Sequence, residues 1–379
     1  MTGSHKPAPV QCFDTMLTLR GRRFDLSPGD RWQRAVSTVL RGVQGVRVPW
    51  SYVMPRRDHT AFVKNIVNSA NEAIDELTLD YLATSWADGA RVLGRLERAC
   101  IDGQLVERLH TQEQSESVKS ALASFAPLAD GRAAPIVYDR LGTATGRPTV
   151  VSGPQILTVR KDLRRVITSA HGARGVIMSL DFAALEARVV LHGAGRSCAE
   201  PDLYGAIARE QFGGRVARDA VKTCVLSLLF GAGRASTSGR LGSDGPEVDA
   251  FIARISEYFG FAALGAALSA LRCEQGVLRN AYGRPLLLDG HETVTDSLLV
   301  SHFVQSTGVD VSLMGFSRIT DRLSDEVPAV RPLFVLHDAL FLDVPLSDVE
   351  CVEHIRDVKV PGYDVTFPLR VEVLTRYSE

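Results

Sequence analysis

The sequence predicts an α+β fold, with a helical region followed by an antiparallel sheet. Three patterns support it: helical spacing of apolar residues over 58–125, an apolar run of strand length that ends in Asp181, and two apolar runs that flank His337 and Asp338. Apolar residues recur every three or four positions on a helix face, whereas short apolar runs bounded by turn residues are typical of strands. Residues 1–55, broken by Pro and Gly, are expected to be irregular or in short extended segments.

The region 58–125 is expected to be an all-helical subdomain. Its apolar residues fall into two groups at helical spacing, which are Phe62, Ile66, Ala70 and Ala73, then Leu93, Leu96, Cys100 and Leu105. Each group would form one buried face of a helix.

The composition is that of a globular protein. Of the 379 residues, 45% are hydrophobic and 23% are charged, and the 32 Gly and 17 Pro are not periodic, which excludes a collagen-like chain. The six cysteines contain no C-x-x-C pair, which argues against a zinc site or a disulfide framework and favours a reducing compartment. The longest apolar stretch, 259–271, is shorter than the roughly 20 residues that span a bilayer. A cytoplasmic protein with no membrane partner is therefore expected.

The net charge of −1 conceals a segregated distribution. Residues 131–240 hold 16 basic and 8 acidic side chains (+8), whereas residues 241–379 hold 11 and 21 (−10). A basic segment followed by an acidic one would suit a protein that binds polyanions on one surface and metal ions on another. Chance fluctuation on a solvated surface explains the same numbers equally well.

The first candidate for chemistry is Asp181, which follows an apolar run and precedes a helical pattern in which Leu185, Val189 and His192 share a face. A carboxylate at the end of a buried strand is held rigidly, as a metal ligand must be. The alternative is an N-cap, the commoner role of Asp at a strand-to-helix junction.

The second candidate is the pair His337 and Asp338, expected at the tip of a hairpin over 332–345. Asp338 could be a simple turn former. If Asp181 and Asp338 instead met on one sheet, their oxygens would suit two magnesium ions, which prefer carboxylate and phosphate ligands.

The third candidate is a helix over 218–230 in which every fourth residue lies on one stripe. That stripe carries two cations, Arg218 and Lys222, followed by Leu226 and Phe230. Cations near a helix N-terminus oppose the macrodipole unless an anion is bound there, so the stripe could meet a triphosphate and a base. The alternative is an amphipathic surface helix.

Taken together, these segments resemble motifs A, B and C of the family A DNA polymerases, the family of bacterial DNA polymerase I. Asp181–Arg188 stands where the family has D-Y-S-Q-I-E-L-R, Arg218–Gly231 where it has R-x-x-x-K-x-x-x-F-x-x-x-Y-G, and Leu336–Ala339 where it has V-H-D-E. Four further segments resemble T-A-T-G-R, F-G-R, Q-G-T-A-A-D and P-L-x-V-E-V, namely Thr143–Arg147, Tyr282–Arg284, Gln305–Asp310 and Pro368–Val373. The seven segments keep the family's order, and the resemblance covers about 135–379.

The resemblance implies a right-hand polymerase fold: a palm with the antiparallel sheet, helical fingers and a reduced helical thumb. The palm is expected at 131–200 and 281–379, the fingers at 201–280, and the thumb-like subdomain at 58–130. Segment 1–57 is assigned no role.

The resemblance also implies a template-directed DNA polymerase whose partners are primer-template DNA and dNTPs. Asp181 and Asp338 would hold two Mg²⁺ ions, or Mn²⁺, and Lys222 would donate a proton to pyrophosphate. Glu186 would close the space of a ribose 2′-hydroxyl. The residues expected around the nucleotide are Arg218, Lys222, Leu226, Phe230, Glu186 and Tyr204. Those expected at the primer-template are Arg147, Arg188, Arg284, Gln305 and His337.

The sequence departs from the family at several of these positions. Ala339 replaces a glutamate of motif C, Leu226 replaces an aromatic residue, Phe230 replaces Tyr, and Ala183 and Ala184 replace Ser and Gln. A reduced fingers subdomain with a looser nucleotide pocket is expected.

Two alternatives to this function stay open. One is a sugar-tolerant or RNA-synthesising polymerase, which Glu186 disfavours, and the other is a catalytically weak protein that only binds primer-template DNA, which Ala339 favours. The first 130 residues contain no D-x-E pattern near a strand, so no proofreading exonuclease is expected. The sequence identifies no processivity partner.

Overall fold

The computed structural model describes residues 30–39, 50–75, 81–197, 200–231, 234–241, 245–286, 288 and 293–375. The chain divides into two compact units, Met1–Leu79 and Asp80–Glu379, and each is treated by itself below. The boundary between the units falls inside the range 58–130 that was predicted as one thumb-like subdomain.

The described residues of the first unit form three helices, α1 Asp30–Val39, α2 Trp50–Val53 and α3 Arg56–Asp75. The prediction of irregular structure before residue 55 is wrong for α1 and α2; the rest of that segment lies outside the described residues. The Pro and Gly residues fall on both sides of α1 rather than within it, so they bound a helix instead of preventing one. On α3, Phe62 and Ile66 of the predicted apolar face are half-buried, and Val63 and Val67 are exposed. The side chains of Ala70 and Ala73 lie outside the described residues.

The second unit is built on a five-stranded sheet in the order β10-β11-β5-β9-β8, in which every pair is antiparallel. This confirms the α+β class. The strands of this sheet are β5 Gly175–Phe182, β8 Arg331–Leu336, β9 Ala339–Pro345, β10 Asp357–Lys359 and β11 Thr366–Thr375. Three small two-stranded sheets pair β1 Cys100–Ile101 with β4 Ile167–Thr168, β2 Val137–Asp139 with β3 Thr149–Ser152, and β6 Leu278–Arg279 with β7 Pro285–Leu286.

Eleven α-helices complete the described part of the second unit. They are α4 Ala87–Gly94, α5 Gly103–Gln112, α6 Glu116–Ala123, α7 Leu185–Gly193, α8 Leu203–Phe212, α9 Arg218–Leu229, α10 Arg234–Leu241, α11 Pro246–Phe259, α12 Phe261–Gln275, α13 Asp296–Glu326 and α14 Val349–Glu353. A π-helical turn, Leu82–Trp86, leads into α4, and short 3₁₀ turns lie at Lys161–Val166, Gly172–Arg174 and Leu346–Asp348.

The predicted helical face through Leu93, Leu96, Cys100 and Leu105 is wrong. Helix α4 ends at Gly94, Cys100 belongs to strand β1, and α5 begins after Asp102, whose carboxylate accepts a hydrogen bond from the Leu105 N–H at 2.9 Å. The partner of β1 is β4, more than sixty residues later, and local spacing contains no information about such a pairing.

The central strand β5 is buried on both faces, and its side chains alternate between two cores. Val176, Met178, Leu180 and Phe182 belong to the core shared with the helices, whereas Ile177 belongs to a second core with Phe334 and Phe341. Asp181 lies on the same face as Ile177, at the end where this second core stops. The sheet therefore holds Asp181 at its open edge.

Helix α13 passes through the helical core. It has 31 residues, Thr295 caps its N-terminus, and 19 of its residues are buried. A helix buried on most of its circumference is expected in the middle of a large core.

Within the described residues, no single helix has the length and hydropathy to cross a membrane. The pair α11 and α12, bent by 52°, meets that test by length and composition only when its two helices are taken together.

Candidate functional site

Asp181 and Asp338 lie at the ends of neighbouring strands. Asp181 is the register partner of Ala339, and the Phe182 N–H donates a hydrogen bond of 3.0 Å to the Asp338 carbonyl. The predicted hairpin is present, with His337 and Asp338 as its two turn residues between β8 and β9. The fold thus brings together two carboxylates that are 157 positions apart (338 − 181).

A residue in the left-handed backbone region lies within three positions of each aspartate. Of the non-glycine residues that the structure describes, only Ala184 (φ 58°) and His337 (φ 56°) have positive φ. Ala184 ends the turn that leads from Asp181 into α7, and His337 directly precedes Asp338. Such conformations cost about 1–3 kcal/mol each and cluster at functional sites.

The environment of the two carboxylates disfavours their charged forms. Burial, reinforced by Glu372, raises the pKa of Asp181 to about 6 against the opposing influence of Arg370 and Lys222. Burial, followed by repulsion from Asp181 and Glu186, raises the pKa of Asp338 to about 7. A cation bound between the two groups would remove this repulsion.

This donor set fits Mg²⁺. Across the described ranges, no group of three or more His, Cys, Asp or Glu side chains is arranged to hold a metal, and the candidate ligands are the two carboxylates of Asp181 and Asp338. Mg²⁺ usually takes one or two carboxylates from a protein and completes its octahedron with water and substrate phosphate. The burial of Ala339 beside Asp181 agrees with this small number of ligands.

The predicted stripe on α9 lies at the helix surface. Lys222 and Phe230 are exposed and Leu226 is half-buried, whereas Val221, Cys224 and Val225 on the opposite face are buried. Phe230 directly follows the last residue of the helix. The stripe is therefore available to a ligand.

The two cations of the stripe differ in their partners. Arg218 donates hydrogen bonds to Asp202 (2.8 Å) and Asp219 (3.0 Å). Lys222 makes no hydrogen bond or ion pair with any residue in the described part of the chain, although it is close enough to Asp181 to lower the pKa of that carboxyl. Asp202, which sequence reasoning missed, holds Arg218 at the start of the helix.

Five residues singled out from the sequence line one small pocket, namely Arg147, Glu186, Gln305, His337 and Asp338. The Arg147 guanidinium pairs with the Glu186 carboxylate at 3.1 Å. Gln305 donates to the Ser301 hydroxyl at 2.9 Å. Glu186, predicted to select the sugar, and three residues predicted to contact the primer-template thus line the same pocket as the catalytic candidate Asp338.

Two residues predicted to contact DNA are buried. Arg188 is 7% exposed, and its Nε donates to the Ala183 carbonyl at 2.8 Å and its Nη2 to the Pro201 carbonyl at 3.1 Å. Arg284 is 3% exposed, and its guanidinium donates to the Tyr81 hydroxyl (3.2 Å) and the Arg140 carbonyl (2.8 Å). The donors of both residues are directed at the protein's own backbone and side chains rather than at the surface, and their contacts with DNA stay predictions.

Arg284 belongs to a buried polar network around Asp310. Arg140 donates to one Asp310 oxygen at 3.1 Å, and Asn280 donates to the other at 2.7 Å. A buried carboxylate is tolerated only when such partners compensate for its lost hydration. No local sequence pattern indicates Arg140 or Asn280, because both come from segments remote from Asp310.

Tyr204, predicted near the nucleotide, lies in α8 and is 4% exposed. The Arg218 guanidinium carbon lies 5.8 Å from its ring centroid. Burial, together with the charge of Glu186, raises the pKa of its hydroxyl. The buried Tyr204 ring thus packs near the Arg218 guanidinium and exposes little surface to a ligand.

Arg370 was not predicted, yet it is the register partner of Asp181 on the side away from Ala339. It is exposed. Its position could be found only from the pairing of β11 with β5, which joins distant parts of the chain.

Comparisons with known proteins identify curated relatives at low identity. The chain is 23% identical over 262 residues to DNA polymerase I of Chloroflexus aurantiacus, covering 62% of this chain and 28% of the relative. It is 26% identical over 263 residues to the thermostable DNA polymerase I of Thermus filiformis, covering 62% and 31%. A DNA polymerase of Bacillus phage SP01 matches at 22% over 248 residues, covering 56% and 27%. The chain thus spans less than a third of the length of these relatives.

Among solved structures, the chain is similar to the POL domain of Pol1 from M. smegmatis, which was solved in complex with DNA primer-template and dNTP. The TM-score is 0.61 at 14% sequence identity, with 95% of this chain and 80% of that chain covered. No family model matches the chain. These similarities establish a polymerase-domain fold.

Proposed function

We propose that this chain, which has a family A polymerase-like core, is a template-directed DNA polymerase that adds deoxynucleotides to a primer 3′ end. The observation that carries the proposal is the pair of strand-end carboxylates, Asp181 and Asp338, with the exposed cation Lys222 near Asp181. A protein that only binds DNA has no use for two crowded carboxylates whose repulsion a cation must relieve.

The proposed reaction is nucleotidyl transfer. The primer 3′ oxygen forms a bond to the α-phosphorus while the bond from that phosphorus to the bridging oxygen breaks, and pyrophosphate leaves with the bonding electrons. The hydroxyl proton passes to solvent, and Lys222 donates a proton to the pyrophosphate. Asp181 and Asp338 would hold two Mg²⁺ ions, which when bound supply a lowered pKa for the primer hydroxyl and charge neutralisation for the phosphates.

Arg218 and Lys222 bind the triphosphate in this proposal. Arg218 offers a planar fork held by Asp202, and Lys222 offers a mobile point charge. Leu226 and Phe230 continue the same stripe toward the base. Because Leu226 has no ring, the base and sugar are held less tightly than an aromatic residue would hold them.

Glu186 and Arg147 form the sugar-selecting wall. Their ion pair fixes the Glu186 carboxylate beside Asp338, and a carboxylate fixed there leaves no room for a 2′-hydroxyl. We therefore favour deoxynucleotides over ribonucleotides. Arg147, Gln305 and His337 would contact the primer end, where minor-groove acceptors occur on every correct pair.

The proposal also includes the subdomain assignments, the lack of proofreading and the cellular location. Residues 131–200 and 281–379 would form the palm, 201–280 the fingers, and 81–130 would retain the thumb-like role. We propose a polymerase without proofreading that works in the cytoplasm.

Primer extension tests the proposal. The full chain is incubated with an end-labelled primer-template, Mg²⁺ and dNTPs, with Asp181→Ala and Asp338→Ala as inactive variants and Asp357→Asn, an exposed carboxylate on the edge strand β10, as the matched control. We expect extension by the wild type and the control only. No extension by the wild type, or full extension by Asp181→Ala, would reject the function.

The alternative of RNA synthesis is tested in the same assay with rNTPs. Its support is the altered pocket at Leu226. Extension with rNTPs at a rate equal to that with dNTPs would favour it over the leading proposal.

A further inference from the structure

Three residues form a row across the sheet at the catalytic position. Arg370 on β11, Asp181 on β5 and Ala339 on β9 are successive register partners. Residues directly opposite one another in antiparallel strands lie on the same face, with Cβ atoms about 4.5–5.5 Å apart. The side chain of Arg370 therefore begins beside Asp181, on the face where the carboxylate is open.

Arg370 has no internal partner among the residues that the structure describes. It is exposed, and no hydrogen bond or ion pair within 4.0 Å joins it to another side chain there. Nearby cations of the same surface differ in this respect, since Lys161 pairs with Glu372 at 3.0 Å and Arg147 pairs with Glu186 at 3.1 Å. Arg370 thus keeps all five of its donors for a ligand.

The charges around the two aspartates divide into two groups. The charged side chains that influence Asp338 are Asp181, Glu186 and Arg147, on the side proposed for the primer end. Those that influence Asp181 include Arg370, Lys222 and Lys161. The charged side chains that influence the buried Tyr204 hydroxyl are Glu186, Arg218, Arg188 and Arg370. Arg370 and Lys222, one of the cations assigned to the triphosphate, thus both act on the Asp181 carboxylate.

We propose that Arg370 binds the triphosphate of the incoming nucleotide, and the pyrophosphate that leaves, from the sheet side of the site. The inference rests on the proposed function and deepens it. Lys222 and Arg218 approach from α9, and Arg370 supplies a cation from β11, so that the phosphates are held between helix and sheet. A guanidinium forms paired hydrogen bonds to phosphate oxygens, which are about twice as strong as neutral ones.

A phosphodiester of the primer strand is the competing anion. It is disfavoured because the residues proposed for the primer end adjoin Asp338, whereas Arg370 lies beyond Asp181, two strands away from β9. The two ligands predict different kinetic consequences, so one variant separates them.

The first experiment measures primer extension by Arg370→Gln, with Arg356→Gln as the matched control, an exposed arginine just before β10 in the same unit. We expect the KM for dNTP to rise about tenfold in Arg370→Gln, with the Kd for primer-template within about twofold of wild type. Arg370→Lys, which keeps the charge but not the fork, should recover part of the loss. A weakened primer-template Kd with an unchanged dNTP KM would overturn the proposal.

The second experiment measures binding of inorganic pyrophosphate with Mg²⁺ by calorimetry, which needs no turnover. Wild type and Arg356→Gln should bind alike, and Arg370→Gln about tenfold more weakly. If the wild type fails to extend primers yet binds pyrophosphate through Arg370, the function falls and the phosphate site stands. Equal binding by wild type and Arg370→Gln overturns the inference whatever the polymerase activity. Thermal melting confirms folding, and Arg370→Lys carries the comparison if Arg370→Gln does not fold.

Discussion

Four arginines in the motif segments of the second unit look alike in the sequence but differ in their exposure to solvent. Arg188 and Arg284 stand in family motifs but are buried, with donors directed at the Ala183 and Arg140 carbonyls. Arg147 and Arg370 also stand in motif segments but are at the open face beside Asp338 and Asp181. The difference teaches that a motif position identifies a place in the fold, whereas exposure decides whether a ligand could reach the side chain.

The largest expected effect comes from disrupting the buried polar network around Asp310. Asp310→Ala removes the carboxylate that compensates the buried Arg140, 4% exposed at its side chain. Leaving a buried charge without its partner costs about 3–5 kcal/mol, so the free energy of unfolding should fall by about that amount in urea titrations. The exposed Asp357→Asn serves as control, and an unchanged stability would show that the network does not brace the unit.

The next largest effect is expected at the exposed Lys222, and it should concern activity without changing the free energy of unfolding. Lys222→Gln removes a cation that has no hydrogen-bond partner in the described chain, so the urea midpoint should stay constant. Loss of a general acid lowers a rate by about 100-fold or more, which single-turnover primer extension would measure. A variant of Lys222 with normal turnover but a shifted urea midpoint would show that this residue stabilises the fold instead.

Glu186 is intermediate in exposure. In its ion pair with Arg147, the Glu186 side chain is 20% exposed and the Arg147 side chain is 37% exposed. Glu186→Ala opens the space for a 2′-hydroxyl. The preference for dNTP over rNTP, measured as the ratio of kcat/KM values, should fall about tenfold to a hundredfold. Arg147→Ala, which removes only the partner, should give a smaller fall, and equal ratios in all three proteins would rule out sugar selection here.

The smallest expected effect comes from adding a negative charge beside Asp181. Ala339→Glu places a carboxylate beside Asp181, where the register pairs the two strands. Groups that support metal ligands change metal affinity by about 10- to 100-fold, so the Mg²⁺ concentration for half-maximal extension should fall by about tenfold. An increased Mg²⁺ requirement would mean that the added charge only repels Asp181 and Asp338.

The positions of the two candidate catalytic carboxylates could be predicted because their signals are local. An apolar run ending in Asp181 and two runs flanking Asp338 specify strand ends and a hairpin, and the four-residue spacing on α9 specifies a face. Arg370 and Arg140 could not be predicted, because their partners are set by strand pairing and packing between remote segments. For the same reason the spacing through Cys100 was misread as helix, since only the pairing with Thr168 makes it a strand.

Helix α13 has a consequence for how the second unit loses its structure. It carries Gln305 at the pocket, Asp310 in the buried network, and Asp321, which pairs with Arg95 after α4. Because these contacts lie along one continuous helix with 19 buried residues, opening any part of its neighbourhood would expose the rest. Amide hydrogens of α13 should therefore exchange with solvent only through global unfolding, and they should become labile together with those of β5 rather than in separate steps.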